Sequence, residues 1–174
     1  MEHQPIGNGV ENSEFAYIFK FKKTDANFND LWAMKSSARE SLRDWLIAWV
    51  CDPKTAENCA NACSELIENC IKFSIVDTVS TVLIRINEAS IVVETRNMAD
   101  EHNLRMVQNM IQKLATIDDL REYFAQTLLT PNRGKSQLGI LKIIMETKGA
   151  ISFVNSSDDR AVHIRLEIDS FSKL

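Results

Sequence analysis

The chain is predicted to be of the α+β class: a two-layer α/β sandwich with one mixed sheet and helices packed mainly on one face. Three observations carry this. Phe15, Tyr17, Phe19 and Phe21 alternate strictly, the period of a strand with one buried face. From Asn29 to Val50 the apolar residues Leu31, Met34, Ala38, Leu42, Trp45 and Trp49 recur at steps of three and four, the period of a long amphipathic helix. Two pairs of β-branched runs, 78–86 with 90–97 and 150–155 with 161–168, read as antiparallel hairpins set between helical segments.

Taken in order, the polar residues 1–13 are expected to form a flexible tail and residues 14–174 a single domain. Pro53 lacks an amide donor and disfavours a helical Asp52, so it ends the first helix and opens a second, which runs to about Phe73. The first hairpin follows, turning at residues 87–89. Leu104, Val107, Ile111 and Leu114 then mark one helix, and Leu120, Phe124 and Leu128 another. The loop TPNRGKSQ at 130–137 combines Pro, Gly and basic residues. After it LGILKIIMETKG is a short apolar helix with Gly149 as its left-handed cap, and the second hairpin closes the domain around SSDD.

Composition bounds the function. A chain of 174 residues that is 45% hydrophobic can bury a core within one domain. A net charge of -4 argues against nucleic acid, whose binding runs on clustered Lys and Arg; the one dense basic run, KFKK at 20–23, is too short to change that. No apolar stretch approaches the roughly 18 residues of a membrane span, and the first residues lack the basic and apolar regions of a secretory signal. The expectation is a cytoplasmic protein without a membrane or nucleic-acid partner. Cys59, Cys63 and Cys70 recur on the apolar side of one helix, where free thiols act as small hydrophobes. Zinc would want paired Cys-x-x-Cys units or nearby histidines, and the three histidines lie far off in sequence.

On the second helix Asn58, Asn61, Glu65, Asn69 and Lys72 fall along one face. A solvated face is the plain alternative. Yet Asn is a poor helix former, and the surrounding residues are apolar enough to be buried, so these polar groups should border a pocket or bond inside one.

The segment SELIENCIKFS at 64–74 resembles the N-box of the GHKL ATPase superfamily, which includes gyrase-type ATPases, heat-shock chaperones, sensor histidine kinases and anti-sigma-factor serine kinases. The resemblance implies that Glu65 orients or deprotonates the attacking hydroxyl or water, that Asn69 is a Mg²⁺ ligand, and that Lys72 contacts phosphate. The residue types suit those roles: Mg²⁺ takes oxygen donors and keeps several waters, and a carboxylate one helical turn earlier points into the same cleft. RGKSQLGILKIIMETKGAISFVN, from Arg133, resembles the G2 box and the helix after it, where triphosphate sits at a helix N-terminus. It implies phosphate contacts from Gly134, Lys135 and Gly139. Of the family's glycines only Gly139 keeps its place; Lys135 and Gln137 stand at the two earlier positions, and Gly134 is displaced by one. Thr95 and Asn97 occupy the positions of the Asp that accepts from the adenine amino group and of the Gly two residues later, while Glu94 should point to the opposite face of the sheet.

The layout is most similar to anti-sigma-factor serine kinases and related partner-switching regulators. It implies a histidine-kinase-like ATPase fold binding ATP and Mg²⁺, with a small anti-sigma-factor-antagonist-like protein as partner, phosphorylated on Ser or Thr. A reading from another class is a non-catalytic pseudo-kinase module that sequesters a regulatory partner. In a third, Asn58, Asn61 and Asn69 cap neighbouring loops and no pocket opens. Trp32, beside the main stripe of the first helix, either closes the core or seeds a homodimer.

Overall fold

A computed structural model describes residues 15–50, 52–87, 89–129, 135–154 and 160–169. The predicted tail at 1–13, Gly134 and the SSDD turn lie outside them. The elements are β1 (Phe15–Lys22), α1 (Phe28–Val50), α2 (Pro53–Phe73), β2 (Val79–Ile86), β3 (Ser90–Met98), α3 (Glu101–Leu114), α4 (Leu120–Leu129), α5 (Lys135–Thr147), β4 (Ala150–Phe153) and β5 (Ala161–Asp169).

The strands form one sheet in the order β1-β2-β3-β5-β4, and every neighbouring pair is antiparallel. The two-layer sandwich is as expected, but the sheet is not mixed. Two helices separate β1 from β2, so the chain returns reversed. β4 does run parallel to β3, but β5 is inserted between them and pairs with both.

The face of the sheet toward the helices carries Val82, Ile84, Val93, Ile164 and Leu166, all buried. Against it lies α2, whose Cys59, Cys63, Leu66, Cys70 and Ile71 are buried in turn, as expected of the cysteines. Each fully buried Leu or Ile contributes about 1.5–3 kcal/mol relative to exposure. The start of α2 is fixed by Asp52, whose carboxylate accepts from the amides of Lys54 and Thr55, with Pro53 in the first turn where a missing N–H leaves nothing unsatisfied. The opposite face of the sheet carries a charge chain: Arg85 to Glu94 at 2.8 Å, Glu94 to Arg165 at 3.2 Å, Arg165 to Glu167 at 3.0 Å. Glu94 thus points away from the helices, as expected from strand alternation.

Three local expectations are corrected. Trp49 stacks on Phe15 with ring centroids 3.7 Å apart, but at the edge of the domain, where it stays 47% exposed. Leu128 is exposed, and Thr127 takes the buried place on α4, its hydroxyl bonding the Tyr123 carbonyl at 2.7 Å. Gly149 is not a left-handed cap; Lys148 carries the positive φ of 54°. What position 149 requires is closeness, because a β-carbon there would stand 2.7 Å from the Glu167 carbonyl oxygen. No helix among the described residues is long and apolar enough to cross a membrane.

Candidate nucleotide cleft

The polar stripe of α2 divides between two neighbours. One side bonds to α1. Asn61 accepts from Arg39 Nε at 2.7 Å, Arg39 also pairs with Glu57, and Glu68 is held by Lys35 at 2.7 Å and by Lys72. Burial alone would raise the Glu68 pKa, but hydrogen bonds from Lys35 and Lys72 outweigh it and hold the carboxyl below its ordinary value. Both ammonium groups also lie over the Trp32 ring, at 5.0 and 5.7 Å from its centroid. Trp32 therefore sits in the seam between α1 and α2. Lys72, read as a phosphate contact, is turned to this seam and does not line the cleft described next.

The other side of the stripe meets α5 and β3. Asn58 donates to the Glu146 carbonyl at 3.1 Å and ties α2 to the end of α5. Asn69 lines a cleft of ≈ 430 Å³, counting the solvent at its mouth, between α2, β3, β5, α3 and α5. Its walls are apolar, formed among others by Leu66, Phe73, Met106, Met110, Ile140 and Val162. Thr95 and Asn97, two apart on β3, turn the same way and supply polar groups beside Asn69. Thr95 is 1% exposed. Asn69 Nδ2 and Thr95 Oγ1 are buried without a hydrogen-bond partner, a state native proteins seldom leave without a ligand or water to relieve it.

Cys70 closes the inner end. Its thiol donates to Asn97 Oδ1 at 3.6 Å, and burial pushes its pKa up to about 12 against a smaller lowering by the neighbouring Thr95 hydroxyl, so it stays protonated. The Asn97 amide reaches the Met98 carbonyl only at 3.5 Å.

Glu65 stands one turn before Asn69 and lies against α5. A β-carbon at Gly139 would be 2.9 Å from Glu65 Oε2, so the carboxylate packs where α5 has no side chain. Ile140, the next residue, lines the cleft. Gly139 is the fifth residue of α5, past the first turn with its unpaired amides. Lys135 is the first residue of that helix, and Gly134 lies outside the described residues. The cleft thus brings together Asn69, Thr95 and Asn97, with Glu65 and Gly139 beside it.

Sequence reasoning missed Asn103, Met106 and Met110, which line the cleft from α3. Asp100 fixes Asn103, accepting from its backbone N and its Nδ2 at 2.8 Å each. The spacing of Met106 and Met110 was the available signal, a second apolar row next to the buried stripe of α3.

No protein-family model and no curated protein matches the sequence. Among solved structures, the chain is similar to one of the SiaB-SiaC complex from Pseudomonas aeruginosa, at 17% identity and a TM-score of 0.64, covering 87% of this chain and 88% of that one. A histidine kinase from Burkholderia phymatum STM815 is matched at 13% identity and a TM-score of 0.41, covering 88% of this chain and 71% of that one. The first likeness extends over nearly the whole of both chains and shows a shared fold.

Proposed function

We propose that this chain is a regulatory protein of the partner-switching type, which binds ATP with Mg²⁺ in the α2–β3–α5 cleft and phosphorylates a Ser or Thr of a small anti-sigma-factor-antagonist-like partner in the cytoplasm. The observation that carries the reading is Asn69: its Nδ2 is buried without a partner on a largely apolar cleft, one helical turn from a carboxylate seated on α5. A protein partner is supported by the two-protein complex named for the structural neighbour.

The residues fit the implied ion. Asn69 offers one amide oxygen, the kind of hard donor Mg²⁺ takes together with phosphate oxygens and water. No group of three or more His, Cys, Asp or Glu among the described residues could hold a metal. The ion would neutralise charge on the nucleotide's phosphates. Glu65 would accept the proton of the partner's hydroxyl through a carboxylate oxygen, and the amides at the start of α5 would be the groups to meet phosphate. Thr95, Asn97 and the apolar walls hold the base.

A second reading, nucleotide binding without transfer, is favoured by Lys72, whose ammonium is committed to Glu68 and Trp32. The test has two stages. ATP with Mg²⁺ at millimolar concentration should raise the melting temperature by mass action, and Asn69→Ala should remove the rise. Absence of any rise in the unaltered chain overturns the reading. Labelled ATP is then offered with candidate antagonist-like domains: transfer that Glu65→Ala abolishes, with binding retained, identifies a kinase, and binding without transfer to any domain identifies the pseudo-kinase.

A further inference from the structure

Four buried side-chain polar atoms among the described residues have no partner: Asn69 Nδ2, Ser74 Oγ, Ser80 Oγ and Thr95 Oγ1. Three of them bear on the inner end of the cleft. Asn69 and Thr95 line it, and Ser80 stands behind, since the pairing of Thr81 with Arg96 sets Ser80 opposite Asn97 on the helix-facing side of the sheet. Orphaned groups gathered in one place call for a polar occupant or ordered water.

The chemistry of this end is uniform. It offers hydroxyls, amides and the protonated Cys70 thiol, and no charged side chain lines the cleft among the described residues. A carboxylate could only accept a hydrogen bond. A threonine hydroxyl rotates to accept from an exocyclic amino group or to donate to an exocyclic carbonyl. Water held by Ser80 and Asn97 would be equally tolerant, because it too reorients. The walls set no preference either: Leu66, Met106, Met110 and Ile140 present apolar, partly adaptable surface to the faces of a flat ring.

We propose that Thr95, backed by Asn97 and Ser80, reads the inner edge of a bound purine without distinguishing a 6-amino from a 6-oxo group, so that the cleft takes adenine and guanine nucleotides alike. This rests on the nucleotide reading above and specifies its substrate class.

Thermal-shift titrations of the full chain with ATP, GTP and ITP, each with Mg²⁺, test it, with inorganic tripolyphosphate as a probe that lacks a base. The three nucleotides should bind within about tenfold of one another, whereas a site that bonds one edge specifically discriminates by roughly 10⁴-fold. One base favoured over the others by more than about 100-fold overturns the proposal and leaves the nucleotide reading standing. No response to any nucleotide overturns both. Thr95→Val keeps the side-chain shape and should weaken all three by a similar factor, about tenfold for one lost hydrogen bond, with tripolyphosphate unaffected. Unchanged nucleotide affinities in Thr95→Val would equally remove Thr95 from the role.

Discussion

The carboxylate of Glu65 occupies the space into which a side chain at Gly139 would grow, with Oε2 2.9 Å from the position of the absent β-carbon. The family resemblance implies a phosphate contact for Gly139. The geometry adds a second use, a bare patch of α5 that seats the acid one turn from Asn69.

A coupling between the two positions follows. Gly→Ala inside a helix ordinarily stabilises by about 1 kcal/mol. Here the new methyl group meets the carboxylate, which must swing aside. Gly139→Ala should therefore gain less in the native background than in Glu65→Ala, and the four melting curves should be non-additive by about 0.5 kcal/mol or more. Additivity within about 0.3 kcal/mol would mean that the two groups do not touch in solution. Any phosphoryl transfer should fall in Gly139→Ala, because the acid has moved.

How much of this was legible in the sequence depended on whether the deciding interactions were local. The start of α2 was readable because Pro53 and Asp52 act within one turn. The antiparallel sheet was not, because the insertion of β5 between β3 and β4 is a choice among strands far apart in sequence. Helical periodicity put Asn69 and Lys72 on one face. It could not say that α5 and β3 would claim the first side of that face and α1 the second, a division made by Lys35, Arg39 and Asn58 reaching their partners. Met106 and Met110 were hidden for the same reason, since a second apolar row on α3 acquires meaning only once a cleft forms beside it.

Lys148 and Gly149 should respond oppositely to substitution. Lys148 holds a left-handed backbone that glycine adopts without strain, so Lys148→Gly should be neutral or stabilising by up to about 1 kcal/mol. Gly149→Ala forces a methyl group against the Glu167 carbonyl and Leu166, and should cost about 1–3 kcal/mol. Urea unfolding of both variants checks the pair. The reverse order of stabilities would restore Gly149 as the cap.

Glu68 gives the protein an acid-sensitive contact. Its carboxyl has a lowered pKa in the folded state, so its contribution is complete above the ordinary glutamate pKa of about 4.3 and is lost as pH falls through the folded value. The gap in melting temperature between the native chain and Glu68→Gln should be visible at neutral pH and close below about pH 4. Because both partners are partly exposed, the effect should not exceed about 1 kcal/mol. A gap that persists unchanged in acid would trace to packing.

Cys70 should impose the opposite dependence at high pH. In the unfolded chain its thiol ionises near its ordinary pKa of about 8.5, while burial holds it protonated in the fold up to about 12. Between those values the unfolded state has lost a proton that the folded state keeps, so stability falls as pH rises. Cys70→Ala should flatten the decline between about pH 8.5 and 10.5, at the cost of a small cavity that lowers stability uniformly. An unchanged slope would assign the decline to other groups, with Cys63 the first candidate, since a hydrogen bond with Cys59, together with burial, raises its pKa well above the ordinary value.

Keeping a polar end on the cleft costs stability. Thr95 Oγ1 is buried without a partner, and an orphaned hydroxyl of this kind costs about 1–3 kcal/mol. Valine has nearly the same shape and no polar atom to leave unsatisfied. Thr95→Val should therefore raise the melting temperature of the ligand-free protein, by roughly 2–4 °C per kcal/mol for a chain of this size. The same substitution is expected to weaken nucleotide binding, so stability and function should move in opposite directions at one atom, as they do where a site is kept at the expense of the fold. A drop in stability would show that ordered water already satisfies the hydroxyl in the ligand-free protein. In that case the floor of the cleft is a hydrated site, and a ligand there displaces or recruits that water instead of meeting a bare group.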